Sequence, residues 1–455
     1  MRLQKQLEQT DAATIGEELY RFAAELFPIC RSITGNGIRR TLAAIQNRIP
    51  LEFSEVPTGT PVLDWTVPKE WNIRDAYIAD SGKRVVDFKK SNLHILNYST
   101  PIRETMSLNE LRPHLFTIPE HPDWIPYRTS YYKENWGFCL SHNQMLALKD
   151  GNYEVCIDST LEDGHLTYGE CYLPGRSTEE VLISCHACHP SLANDNLSGL
   201  AVTAFLAKLL SGRDLRYSYR FVFLPGTIGA ITWLARNREA VGRIRHGLVL
   251  TCIGDAGGFH YKKSRRGNAE IDRAAAHILG HCSDSAKILE FSPYGYDERQ
   301  YCSPGFNLPV GCLMRSVWGS FPEYHTSADD LDFIRPLSLA ASLRVCAAIV
   351  DVLENNRRYR NLSPYGEPQL ERRNLYSSTG DTIGTEINAR LWVLSLSDGE
   401  HSLLDIAERS GIPFFIIDEA AELLLQNALL SVVPDDDREE PAPNEALRED
   451  TLQRS

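Results

Sequence analysis

The stretch Cys185-His186-Ala187-Cys188-His189-Pro190-Ser191-Leu192-Ala193-Asn194-Asp195-Asn196-Leu197-Ser198-Gly199 carries the densest chemistry in the chain. It continues the apolar run Val181-Leu182-Ile183-Ser184, which has the length of a buried strand, and it leads into Gly199 to Leu210, whose pattern predicts a helix. A strand buried on both faces, then a polar loop, then a helix is the repeating unit of an α/β sheet, and ligands bind at the carboxyl ends of its strands. His186 and Asp195 offer imidazole nitrogen and carboxylate oxygen there, the donors of a hydrolytic Zn²⁺. Asn194, Asn196 and Ser198 are suited to capping the helix and holding the loop's backbone groups. His189, followed by Pro190, reads as structural. Cys185 and Cys188 make a Cys-x-x-Cys, but no second pair stands nearby and Cys185 ends an apolar strand, so neither a redox pair nor a zinc ribbon is expected.

Working outward, Tyr219 to Leu224 and Gly247 to Ile253 are further buried strands, and a helix from Pro336 to Glu354 closes the unit. The second of these strands delivers Gly254-Asp255-Ala256-Gly257, and Phe321-Pro322-Glu323-Tyr324-His325 places another imidazole before the closing helix. Asp255 and His325 therefore join His186 and Asp195 as candidate metal ligands, an open site for one ion. Upstream, Ile15 to Phe27 and Gly37 to Gln46 read as amphipathic helices. Residues 63–148, with short alternating runs, prolines and dense aromatics, read as an inserted β-rich subdomain. The α/β domain is then 1–62 plus 149–358.

These positions resemble the zinc aminopeptidase family that includes bacterial leucyl aminopeptidases, glutamate carboxypeptidases and glutaminyl cyclases. The pattern Ala-Asn-Asp-Asn-x-Ser-Gly at Ala193 to Gly199, with a histidine nine residues before its aspartate, carries the likeness. Tyr127-Arg128-Thr129-Ser130-Tyr131-Tyr132, Trp136-Gly137-Phe138-Cys139 and His189-Pro190-Ser191-Leu192 narrow it to a bacterial group of aminopeptidase-like proteins with an inserted β domain and a C-terminal winged helix. The resemblance implies a zinc-peptidase-like mixed sheet flanked by helices. It also implies that His186 and Asp255 share one metal, that Asp195 bridges, and that His325 holds a second position. In the family the strand matching Phe221-Val222-Phe223-Leu224 ends in two adjacent glutamates, a general base and a ligand, whereas this chain reads Pro225-Gly226-Thr227. Thr227 points to one tightly held ion, and Gly226 removes the carboxylate that would accept a proton from the attacking water, a role worth about 10²–10⁴-fold in rate. Glu298 and Glu323 are the candidate replacement bases. Asp297, Arg299 and Tyr324, with Arg128 and Tyr131 from the insertion, are candidate substrate-binding residues. The expected activity is metal-dependent hydrolysis of a small amide or peptide, and the alternative is a non-catalytic metal- or ligand-binding homologue.

The last region, placed at 374–433, contains Ser402 to Arg409, the turn Ser410-Gly411-Ile412-Pro413, Phe414 to Asn427 and an apolar strand, the layout of a winged helix-turn-helix. Arg357 to Arg373 reads as a linker, and residues 434–455 read as a disordered acidic tail. From Thr385 to Val433 eight acids face two arginines, a net charge of −6, which opposes docking on phosphate backbones. The module is therefore expected to serve a protein partner or a homo-oligomer rather than nucleic acid. Forty-seven Lys and Arg against 60 Asp and Glu argue likewise against an anionic membrane, and no apolar run approaches the ~20 residues that span a bilayer. Eleven scattered cysteines, an odd number, fit free thiols in a cytoplasmic protein.

Overall fold

The computed structural model describes residues 2–282, 285–376 and 384–434. The acidic tail lies outside these residues beyond position 434. Two compact units divide the chain between Glu354 and Asn355.

The first unit is built on an eight-stranded mixed sheet. Its strand order is Glu52–Pro57, His165–Leu173, Ser218–Leu224, Glu180–His186, Ile244–Leu250, Val310–Met314, His260–Lys262 and Lys287–Leu289. The four central strands, from Ser218–Leu224 to Val310–Met314, run parallel. Every residue of Glu180–His186 and of Ser218–Leu224 is buried, as continuous apolar runs require when helices cover both faces. Register pairs His186 with Leu224, so the loops after these two strands leave the sheet side by side. The helix Gly199–Leu210 starts and stops where its sequence pattern places it. The helix Pro336–Asn355 is long and apolar enough to cross a membrane by composition, contrary to the reading of the linear sequence. Most of its surface is instead buried within the fold.

The β-rich insertion is larger than 63–148. Its antiparallel sheet runs Lys83–Asp87, Glu70–Asp80, Asn152–Glu162, Ile102–Ser107, and Asn152–Glu162 pairs along most of Glu70–Asp80. The apolar alternation of Tyr153 to Ile157 is the same whether a strand opens an α/β unit or completes a meander, and only the pairing distinguishes them. Nor does the insertion stand apart, because Trp71, Val155 and Ile157 share one continuous core with Leu182, Val222 and Val249.

The second unit contains the helices Thr385–Leu396, Leu403–Ser410 and Phe414–Gln426 and a three-stranded sheet. Ser402 and Asp405 form a reciprocal capping box on the middle helix, and Gly411 ends it in the left-handed conformation, φ 68°. The stretch read as a linker supplies the central strand of the sheet, Arg358–Asn361, between Asp398–Ser402 and Leu430–Val432. Of that strand only Tyr359 is fully buried, too little alternation to announce a strand among arginines.

Candidate metal centre

The loop after Glu180–His186 turns through Ala193–Ser198 with non-helical backbone at Asp195 and Asn196. Side chains rather than regular bonding hold it. Asp329 accepts hydrogen bonds from the backbone N–H groups of Asn194 (2.6 Å) and Asp195 (2.9 Å). Asn194 receives the Gly254 N–H (2.8 Å), and Ser198 donates to the Asn194 carbonyl (2.7 Å) while accepting from Ile253 N–H (3.1 Å). These polar residues thus tie two strand-end loops together, and none caps the helix that follows. The fully buried Arg31 donates to the His189 carbonyl (2.8 Å) and so fixes the other side of the loop.

The loop brings three imidazoles around one carboxylate. His186 Nε2 lies 2.9 Å from Asp195 Oδ1, His325 Nε2 lies 3.0 Å from Asp195 Oδ2, and His189 Nε2 lies 3.9 Å from the same oxygen. Burial alone would push the Asp195 carboxyl up, but the charges and hydrogen bonds of His189, His186 and His325 hold it well below its ordinary value. Burial likewise drives His189 down, toward the neutral form that donates a lone pair. Donor atoms of His186, His189 and Asp195 all lie within 4.8 Å of one another. Imidazole and carboxylate donors in that number suit one divalent ion. The Asn196 amide donates to the Leu250 carbonyl (3.0 Å) and faces His186 Nδ1 at 3.2 Å, which holds the ring with Nε2 toward Asp195.

His189, read from sequence as structural, thus belongs to the cluster, and Asp255 does not. Asp255 is buried with Oδ1 accepting from Gly257 N–H (2.6 Å) and Ser316 Oγ (2.8 Å), and with Oδ2 accepting from Asn194 Nδ2 (2.8 Å). The strand Ile244–Leu250 ends five residues before it, and the intervening bend turns Asp255 into a buttress for Asn194. Glu298 is also spoken for. It is fully buried, pairs with Lys262 Nζ at 2.8 Å and accepts the Tyr296 N–H. Glu323 does not line the cavity over the cluster, and its carbonyl receives Thr326 N–H and Oγ1.

That cavity, of about 520 Å³, is bordered by Cys188, His189, Gly226, Thr227 and His325 on the cluster side. Of the candidate substrate-binding residues, Arg128 and Tyr131 line it, whereas Asp297, Arg299 and Tyr324 do not. Tyr324 stacks on the His325 ring (centroids 4.0 Å apart), and Arg299 Nε is buried with no hydrogen-bond partner among the described residues. Asp297 is fully buried, where Oδ1 accepts the Thr227 N–H (2.6 Å) and Oδ2 has no partner among the described residues. Burial raises its carboxyl to about 6. Sequence reasoning missed Tyr296, which covers Gly226. A Cβ on Gly226 would stand 2.0 Å from the Tyr296 hydroxyl, and the ring packs 4.1 Å from that of His186. Cys188 accepts the Gly226 N–H (3.3 Å), and burial pushes its thiol up to about 12.

Comparison with known proteins agrees with this architecture. Residues 20–356 match the family described as domain of unknown function DUF4910, and residues 357–432 match a winged helix-turn-helix family. A Clostridium acetobutylicum protein, provisionally named a polysaccharide biosynthesis protein with an aminopeptidase-like domain, is 52% identical over 426 residues, 93% of this chain and 98% of that one. A crystal structure from the same organism, provisionally named a peptidase, superposes with TM-score 0.90 at 52% identity over 94% of this chain and 99% of that one. The zinc aminopeptidase BSAP from Bacillus subtilis shares the fold at TM-score 0.55 and 12% identity, over 74% of this chain and 94% of its own. The match covering most of the first unit and the full-length relative together decide the assignment: the chain belongs to the DUF4910 family, an aminopeptidase-like α/β fold followed by a winged helix.

Proposed function

We propose that the first unit is a metal-dependent hydrolase of the aminopeptidase type, acting on an amide bond. The observation that supports it is the convergence of His186, His189 and His325 on Asp195 at the strand ends, below a cavity open to a small substrate. In this reading these four residues hold one ion, with Zn²⁺ favoured by the nitrogen-rich donor set. The chemistry such an ion supplies is Lewis-acid polarisation of the scissile carbonyl. Asp329 and Arg31 keep the loop in place from outside the cluster, and Tyr127, stacked edge-on to His325 at 5.2 Å, closes one side of it. Gly226 supplies no proton acceptor, and behind Thr227 the Asp297 Oδ2 atom is buried with no hydrogen-bond partner among the described residues.

The test is elemental analysis of the purified full-length chain. One divalent ion per chain is expected, lost in His189→Ala and Asp195→Asn. A chain that neither carries nor takes up zinc, or that holds two ions tightly, would refute the reading. A second reading, a non-catalytic relative that binds a ligand and recruits a protein through its winged helix, is favoured by one specific observation: Tyr296 fills the space at Gly226 where the family carries its base.

A further inference from the structure

The cavity over the cluster is lined by five aromatic side chains, Trp65, Tyr127, Tyr131, Tyr132 and Tyr296. Apart from the cluster histidines, Arg128 is the one charged residue among the described lining, and no aspartate or glutamate reaches the surface of the cavity. Of the buried acids around the cluster, Asp195 is bonded to the histidines, Asp255 to Asn194 and Ser316, and Glu298 to Lys262, while Asp297 is buried, accepts the Thr227 N–H and does not line the cavity. A substrate entering with a free α-amino group therefore meets no carboxylate to receive its ammonium. Aromatic faces attract cations, but a guanidinium in the same small cavity opposes a second positive charge.

Arg128 itself is well placed. Its carbonyl accepts the Asn97 N–H (2.9 Å), and the preceding residue, Tyr127, donates its N–H to the His325 carbonyl (2.7 Å). Pro126 bridges to Thr326 in the same seam. The segment that carries Arg128 is thus stitched to the loop that carries His325, and Arg128 itself is exposed and lines the cavity. A planar guanidinium is the side chain best matched to a carboxylate, which it grips through two parallel hydrogen bonds.

We infer that this site takes a ligand with a free carboxylate and a blocked amine, an N-acyl amino acid with an apolar or aromatic side chain, with Arg128 receiving the carboxylate and the aromatic walls the remainder. The inference rests on the hydrolase reading for the bond that is cut, but not for binding.

The test measures binding of two matched probes, N-acetyl-L-phenylalanine and L-phenylalanine amide, to the full-length chain by calorimetry, with and without Zn²⁺, followed by hydrolysis of each. The acetylated acid should bind at least about tenfold tighter than the amide. Arg128→Gln should erase that preference and Arg128→Lys should keep part of it, with thermal melts confirming that both variants are folded. Tighter binding of the amide, equal binding of the two, binding of neither, or a preference that survives Arg128→Gln would overturn the inference. Preferential binding of the acid without turnover would leave it standing and count against the hydrolase, whereas turnover of the amide alone would do the reverse.

Discussion

Gly226 and Tyr296 compete for one space. A Cβ at Gly226 would stand only 2.0 Å from the Tyr296 hydroxyl and 2.4 Å from two ring carbons, so Gly226→Glu has no room for its carboxylate while Tyr296 keeps its place. The single substitution should destabilise the chain by about 1–3 kcal/mol through overpacking, with no gain in hydrolysis. Joined to Tyr296→Ala, the carboxylate has room, and a rise of about two orders of magnitude in rate is expected. Urea denaturation with amide-hydrolysis kinetics on the two single variants and the pair measures both effects, and full stability of Gly226→Glu alone would disprove the overlap. Asp297 makes a second prediction. Because burial raises its carboxyl from the ordinary 3.8 to about 6, the stability it contributes is complete below about pH 4 and is lost as pH rises through 6. Asp297→Asn should match the native chain near pH 4 and exceed it by about 1–3 kcal/mol at pH 7.5. Denaturation at the two pH values decides this, and a less stable variant at pH 7.5 would mean that the ionised carboxylate has a stabilising partner.

The helix Asn36–Gln46 meets the insertion through a two-pronged contact, beside the hydrogen bond from Asn36 N–H to Asn72 Oδ1 (2.7 Å). Arg39 donates to both oxygens of Glu70, at 2.8 and 2.6 Å, and Glu70 also accepts the His165 N–H (2.9 Å), so one carboxylate joins the helix, the strand Glu70–Asp80 and the strand His165–Leu173. The Arg39 hydrogen bonds, outweighing burial, lower that carboxyl from 4.5 to about 2. A depressed carboxyl stabilises above its unfolded value and loses the contribution as pH falls through the folded one. Glu70→Gln should therefore cost about 2 kcal/mol at pH 7, with the difference shrinking between about pH 4.5 and 2. Acid-limb denaturation of the two chains checks this; a cost independent of pH would show that packing, not charge, is responsible. The same strand shows why the linear sequence places the boundary of the insertion too early: its partner, Asn152–Glu162, lies on the far side of a long stretch of other structure, and pairing at such distance leaves no mark on local alternation.

At the scale of the whole molecule, the surface of the second unit bears on its partner. The helix Phe414–Gln426, which would enter a major groove, exposes Phe415, Glu422, Leu425 and Gln426, while Asp418, one of the acids counted against DNA, is buried. No lysine or arginine lies on that helix, so no counterions are released from phosphate there. The full chain should show no submicromolar, sequence-dependent binding of duplex DNA at about 0.15 M salt in a fluorescence-anisotropy titration, and a specific complex would overturn the protein-partner reading.

The strand–loop–helix around His186 and Asp195, the α/β class and the winged layout were legible in the linear sequence. They follow from local properties: continuous apolar runs, a polar loop of fixed length, helix periodicity and turn residues. Which acids and histidines are available for chemistry was decided only by the tertiary structure. Glu298 is neutralised by Lys262, 36 residues away; Asp255 is claimed by Asn194, 61 away; and His189 is drawn into the cluster by a loop whose carbonyl is held by Arg31, 158 away. A carboxylate is a base, a ligand or a buttress according to its partners, and chain folding, not local spacing, chooses those partners.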